Sequence, residues 1–218
     1  MRTTGFGRWA ALSGALFVAL WVAAFLILGD TVESANSDAE ILAYFGDKGQ
    51  RDREFITLVL LLAASLPFIV FISVLRSRLE YGEGGAGVWT MAAYGAGLVS
   101  TALWAVAATL YVVPSLDTDG NGGFQLDLDT FNAFTGAGYL AWTSAGTIMS
   151  IVVLATSVLG IRAGVIPKWV SWLGFAVALS LLAAFLVIPV IFLLAWLFTV
   201  SIALVWHRDT SEAPTATA

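Results

Sequence analysis

The residues best suited to hold a ligand lie in one hydrophilic stretch, Asp117-Thr118-Asp119-Gly120-Asn121-Gly122. Alternating Asp and Asn oxygens ahead of a glycine match the first half of a calcium loop. There the side chains converge on a hard cation and the glycine permits a sharp turn. Asp117, Asp119 and Asn121 are the candidate ligands. The bidentate glutamate that closes such a loop would fall at Leu128, so the flanking Asp127 or Asp129 would have to stand in. Asp, Asn and Gly are also the ordinary residues of an exposed turn, and that reading stays open beside the metal one. Calcium is the one cofactor the sequence suggests.

A second group is aromatic. Trp21, Trp104, Trp142 and Trp196 all fall within apolar stretches and could wall a pocket for an apolar molecule. The plainer reading is packing and anchoring at the lipid headgroup level, where indoles are favoured. Small and hydroxyl-bearing residues form two further stripes, Thr143, Gly146, Thr147, Ser150 and Ser157, and Ala93, Gly97, Thr101 and Thr109. Such stripes let helix backbones approach closely; a polar path is the other use they could have.

Much chemistry is set aside by what these stretches lack. There is no cysteine, which removes thiolate catalysis, disulfides and cysteine metal sites, and one histidine, His207, cannot supply a two-histidine haem. Between the ends of the apolar stretches stands no Asp, Glu, Lys, Arg or His. A charge at bilayer depth costs several kcal/mol and is kept where a proton relay or ion coupling needs it. The sequence therefore argues against a carboxylate-coupled pump and an intramembrane protease. No nucleophile or acid–base pair emerges, so the chain reads as a non-enzyme. No basic block resembles a nucleic-acid footprint.

The elements that carry these residues follow from composition. Of 218 residues, 59% are hydrophobic and only 11% charged. That is about half the charge of a soluble domain, too little to cover a water-exposed surface. The apolar stretches run over 9–28, 55–75, 86–113, 138–161 and 169–206. The last is far longer than the ~30 Å hydrocarbon core requires, and Pro189 lies near its middle, where a helix break is expected. Reading it as 169–188 and 189–206 gives an all-α membrane bundle of six transmembrane helices, a single domain over 1–208.

Basic residues favour the cytoplasmic side. Arg2 and Arg8 precede the first stretch, Arg76 and Arg78 follow the second, and Arg162 and Lys168 follow the fourth. Six spans then place both termini in the cytoplasm, with residues 209–218 as a disordered tail. In the outer segment, Ser37 to Glu40 has capping-box spacing ahead of Ile41, Leu42, Tyr44 and Phe45. This predicts a short amphipathic helix lying on the outer membrane surface, apolar face down. The glycine-rich connection over 78–87 reads as a mobile inner loop.

Two segments, Arg162-Ala-Gly-Val-Ile-Pro-Lys-Trp-Val-Ser-Trp-Leu-Gly174 and Trp196-Leu-Phe-Thr-Val-Ser201, together with the acidic segment over 37–45, carry a resemblance. The chain resembles a group of uncharacterised multi-pass membrane proteins of actinobacteria and related bacteria, classed as a domain of unknown function. The resemblance implies a bacterial plasma-membrane location and brings no catalytic residue with it. The expected activity is that of a non-enzymatic bundle. It would bind lipid, an apolar molecule, or a membrane-protein partner that includes a second copy of itself. A small transporter or channel subunit without a buried ionic relay is the alternative.

Overall fold

The computed structural model describes residues 9–32, 35–116 and 126–206, and within them the chain forms helices and short 3₁₀ turns with no strand. In chain order the helices are α1 (Ser13–Leu28), α2 (Asp38–Gly46), α3 (Lys48–Glu83), α4 (Val88–Val112), α5 (Leu128–Ala163), α6 (Lys168–Ser180) and α7 (Val187–Trp206). Of these, α3, α4, α5 and α7 are long and apolar enough to cross a membrane, whereas α1 and α6 are apolar but shorter. The large side chains of their core, among them Phe17, Phe68, Phe71, Met149, Leu193 and Leu197, are fully buried.

The first and last helices are joined through an inserted hydroxyl. Ala15 N donates to Ser201 Oγ at 3.0 Å, and Ser201 Oγ donates to the Ala11 carbonyl at 2.6 Å. These two backbone groups would otherwise bond each other in an ordinary helix, so the serine of α7 stands inside the ladder. This accounts for the turn at residues 11–12, between the helical pair at 9–10 and α1.

Helices α3 and α5 have 36 residues each. At about 1.5 Å per residue they are far longer than a ~30 Å hydrocarbon core. Helix α3 extends the apolar stretch of 55–75 by about two turns at each end, α5 extends that of 138–161 by nearly three turns at its start, and the charged residues 48–54 are helical. Asp47 caps α3 and Asp127 caps α5 through backbone amides.

On the ends of α3 and α5 rests α2. It forms where expected, with the Ser37–Glu40 capping box complete. Two of its apolar side chains, however, are covered by protein: Ile41 and Phe45 are buried against Phe131 at the start of α5, while Leu42 stays exposed. For Ile41 and Phe45 the expectation of a face turned to lipid is thus corrected. The projecting end of α5 offers Phe131 at a ring distance of 5.6 Å from Phe45, and α2 packs there.

Two other expectations change. The break in the last apolar stretch falls before Pro189: α6 ends at Ser180, residues Leu181–Ala183 form a 3₁₀ turn, and α7 begins at Val187. Pro189 lies in the first turn of α7, where a missing N–H has no helical partner to lose and the fixed φ suits the helix. Tyr139 of α5 stabilises the bend by donating its hydroxyl to the Phe185 carbonyl at 3.0 Å. The glycine-rich connection is shorter than the sequence suggests, because α3 runs on to Glu83 and leaves a tight turn over 84–87. Gly84 closes α3 in the left-handed region, and the Glu83 carboxylate accepts from Trp89 N, Thr90 N and Thr90 Oγ1.

Candidate functional site

Three of the four tryptophans singled out in the sequence meet inside the bundle. Phe17, Trp21 and Phe25 recur every four residues and so share one face of α1. Trp21 meets the ring of Trp104 from α4 at 4.9 Å, edge on, and that of Trp142 from α5 at 5.3 Å. Phe68 of α3 closes on Phe17 at 4.6 Å. Offset and edge-to-face contacts of this kind suit the ring quadrupoles. Trp196 stands apart. Its indole N–H donates to the Val170 carbonyl at 3.1 Å, and the ring packs beside Gly174, between α6 and α7.

The cluster fills its own space. A cavity of about 10 Å³ remains, lined by Phe17, Trp21, Leu61, Ser65, Thr101, Trp104 and Trp142. A drug-sized ligand needs ~300 Å³ or more, so in this conformation the tryptophans are a packed core, not a pocket for one.

Space of that order exists elsewhere. A groove of about 410 Å³ runs between the start of α6 and the end of α7, lined by Pro167, Trp169, Phe198, Thr199, Ile202, Ala203 and Trp206. The α7 residues 198, 202 and 206 repeat every four positions and form one wall. Trp169 is 59% exposed and Trp206 79%, although both are large and apolar. Lys168, which stands between the lining residues Pro167 and Trp169 in the chain, is exposed and positively charged.

Near the start of α3 the structure reveals a residue that sequence reasoning passed over. Glu54 is the one charged side chain buried among the described residues. Its Oε1 accepts a hydrogen bond from the Tyr44 hydroxyl of α2 at 3.0 Å. Burial, reinforced by the Glu54 charge and hydrogen bond, pushes the Tyr44 hydroxyl well above its usual pKa. Nearby, Arg51 donates to the Phe45 and Gly46 carbonyls at the end of α2. A signal was present in the sequence. Glu54 shares the three- and four-residue spacing of Thr57, Leu58, Ala64, Phe68, Phe71, Ile72 and Leu75, all of which are buried.

The calcium-loop residues Asp117, Asp119 and Asn121 lie outside the described residues, as do His207 and the tail over 209–218. Of the two carboxylates beside Leu128, Asp127 accepts from Thr130 Oγ1 and Thr130 N and thereby caps α5. The hydrogen bonds from the Thr130 hydroxyl and then its amide hold the Asp127 carboxyl below its usual value.

The small-residue stripes lie largely at helix contacts. Gly146 faces Ala184, Gly97 faces Ile72, and Ser157 lies against Gly174. Ser100 donates to the Ala145 carbonyl at 2.9 Å, tying α4 to α5. Thr109, by contrast, is exposed and bonds back to the Ala105 carbonyl. No protein-family model, curated protein or solved structure matches the chain.

Proposed function

We propose that the chain is a six-span, non-enzymatic plasma-membrane protein, both termini cytoplasmic, that holds the acyl chain of an anionic phospholipid between α6 and α7. The groove beside Trp169 and Trp206 carries this reading. Its lining is almost entirely apolar, its volume suits a small-molecule site, and exposed indoles at its rim are at home at headgroup level. Lys168 supplies the charge that favours an anionic headgroup.

The six-span frame is supported by the two shorter helices. From Trp9 to Leu28 the run, helical apart from the turn at residues 11–12, covers about 30 Å at 1.5 Å per residue, and α1 is bonded to α7 through Ser201. Helix α6 with its 3₁₀ turn packs along α5, and the Phe185 carbonyl freed at its end is taken up by Tyr139. The alternation of basic residues and the resemblance to bacterial multi-pass proteins point the same way.

The test is native mass spectrometry of the full chain, delipidated and then offered phosphatidylglycerol or phosphatidylcholine of matched acyl length. Phosphatidylglycerol is expected to stay bound, and the Trp169→Ala, Trp206→Ala double variant to lose it. Lys168→Gln should narrow the difference between the two lipids. Equal retention by the double variant and the unaltered protein would overturn the groove as the site. A stable complex with another membrane protein, lost in the same variant, would assign the groove to a helix instead. The frame is tested separately by a reporter at the carboxyl terminus, which should be cytoplasmic; an external signal would rule out six spans.

A further inference from the structure

We infer that the cavity inside the aromatic cluster is a binding site for one water molecule, held between the Trp104 indole N–H and the hydroxyls of Ser65 and Thr101. Trp104 is 6% exposed, and among the described residues no protein group accepts a hydrogen bond from its Nε1. A buried donor without an acceptor bears its full desolvation cost, and an apolar surround makes that cost larger. Trp104, Ser65 and Thr101 all line the same cavity of about 10 Å³. That is the size at which one water fits and nothing larger does.

The donor and acceptor count closes. Ser65 Oγ donates its proton to the Leu61 carbonyl at 3.3 Å, and Thr101 Oγ1 donates to the Gly97 carbonyl at 2.7 Å. Each hydroxyl oxygen then has a lone pair left to accept. A water would accept from the indole and donate one proton to each oxygen, making the three bonds usual for a buried water. Such a water would bolt α3 to α4 at the level of Trp21, with rings on the remaining sides.

The rival partner for the indole is the face of Trp21, whose ring meets Trp104 edge on at 4.9 Å. An N–H over a ring is a weak hydrogen bond and would leave the cavity dry. Proton NMR of the full chain with ¹⁵N-labelled tryptophan, in detergent with deuterated tails, separates the two. The Trp104 indole signal is identified by its loss in Trp104→Phe. It is expected to show a magnetisation-transfer peak to water, weakened several-fold in a Ser65→Ala, Thr101→Val double variant. Both substitutions are small and keep the side-chain volume nearly constant. A signal without contact to water, displaced upfield by the Trp21 ring, would overturn the inference. So would a water peak of undiminished strength in the double variant. Should Trp104→Phe fail to fold, a density map that resolves ordered waters decides the same question. A peak between the three groups supports the site, and none there removes it.

Discussion

Two tryptophan-rich regions of this bundle use the same side chain for opposite ends. Around Trp104 the indoles of Trp21 and Trp104 are buried and that of Trp142 half-buried, and almost no volume is left between them. Beside Trp169 and Trp206 the indoles stand open along a groove about forty times larger, with the exposed Lys168 next to Trp169 in the chain. The difference teaches that aromatic content alone does not mark a binding site. An indole ringed by other helices contributes packing, whereas one left on the outside with a wall opposite it offers its face to something else. In lipid, where burial of apolar surface gains little between helices, packing quality is what separates the two.

The comparison breaks if both regions respond alike to truncation. Trp21→Ala should cost about 3–5 kcal/mol of unfolding free energy, because the cluster cannot close over so large a gap. Trp206→Ala should change it by no more than about 0.5 kcal/mol. Denaturation of the two variants in the same detergent would measure this. Similar losses would mean that the groove is a structural seam. Next in size is Gly174→Val, which introduces a side chain where Ser157 and Trp196 already lie. Overpacking of this kind should cost about 1–3 kcal/mol and displace the Trp196 indole from the Val170 carbonyl. The Trp196 indole N–H resonance, identified by its loss in Trp196→Phe, would report it.

A smaller effect tests the seam between α1 and α7. In Ser201→Ala the Ala15 N–H and the Ala11 carbonyl lose their bridging hydroxyl and are free to bond each other. The expected cost is about 0.6 kcal/mol, the average for an interhelical bond in a membrane. Helix α1 should then extend without interruption towards Trp9, visible as slower amide exchange at residues 11–15. A loss of several kcal/mol would show that the kink, not the bond, is what α7 requires.

The helices themselves were legible because lipid leaves little choice: a crossing segment has to be long, apolar and free of charge. Their ends were not. Residues 48–54 carry Lys48, Arg51, Asp52, Arg53 and Glu54, and such a charge run reads as a connection. A helix that projects past the membrane has the composition of a loop, and only its spacing betrays it, as at Glu54. Pro189 marked the right neighbourhood, but a proline pattern alone does not distinguish a helix interior from a first turn. The meeting of Trp21, Trp104 and Trp142 and the separation of Trp196 depend on how helices rotate about their axes. That rotation is set by contacts such as Gly146 on Ala184, which no single segment encodes.

The smallest predicted effect, in acid, sharpens the contrast from another side. None of the residues lining the aromatic cavity titrates, so that region should be indifferent to pH. The first turn of α5 should not be. Asp127 is held below its usual value of 3.8 by the Thr130 hydroxyl and amide. A carboxyl depressed on folding adds stability above its unfolded pKa and loses it as pH falls towards the folded one. The cap should therefore loosen only below about pH 3.8, with the Thr130 amide resonance moving as Asp127 takes up its proton. Asp127→Asn keeps an acceptor at the cap position and should abolish that movement while leaving the helix in place. If the Trp104 indole resonance followed the same titration, the cap and the aromatic cluster would be one cooperative unit, and the independence of the two regions would be lost.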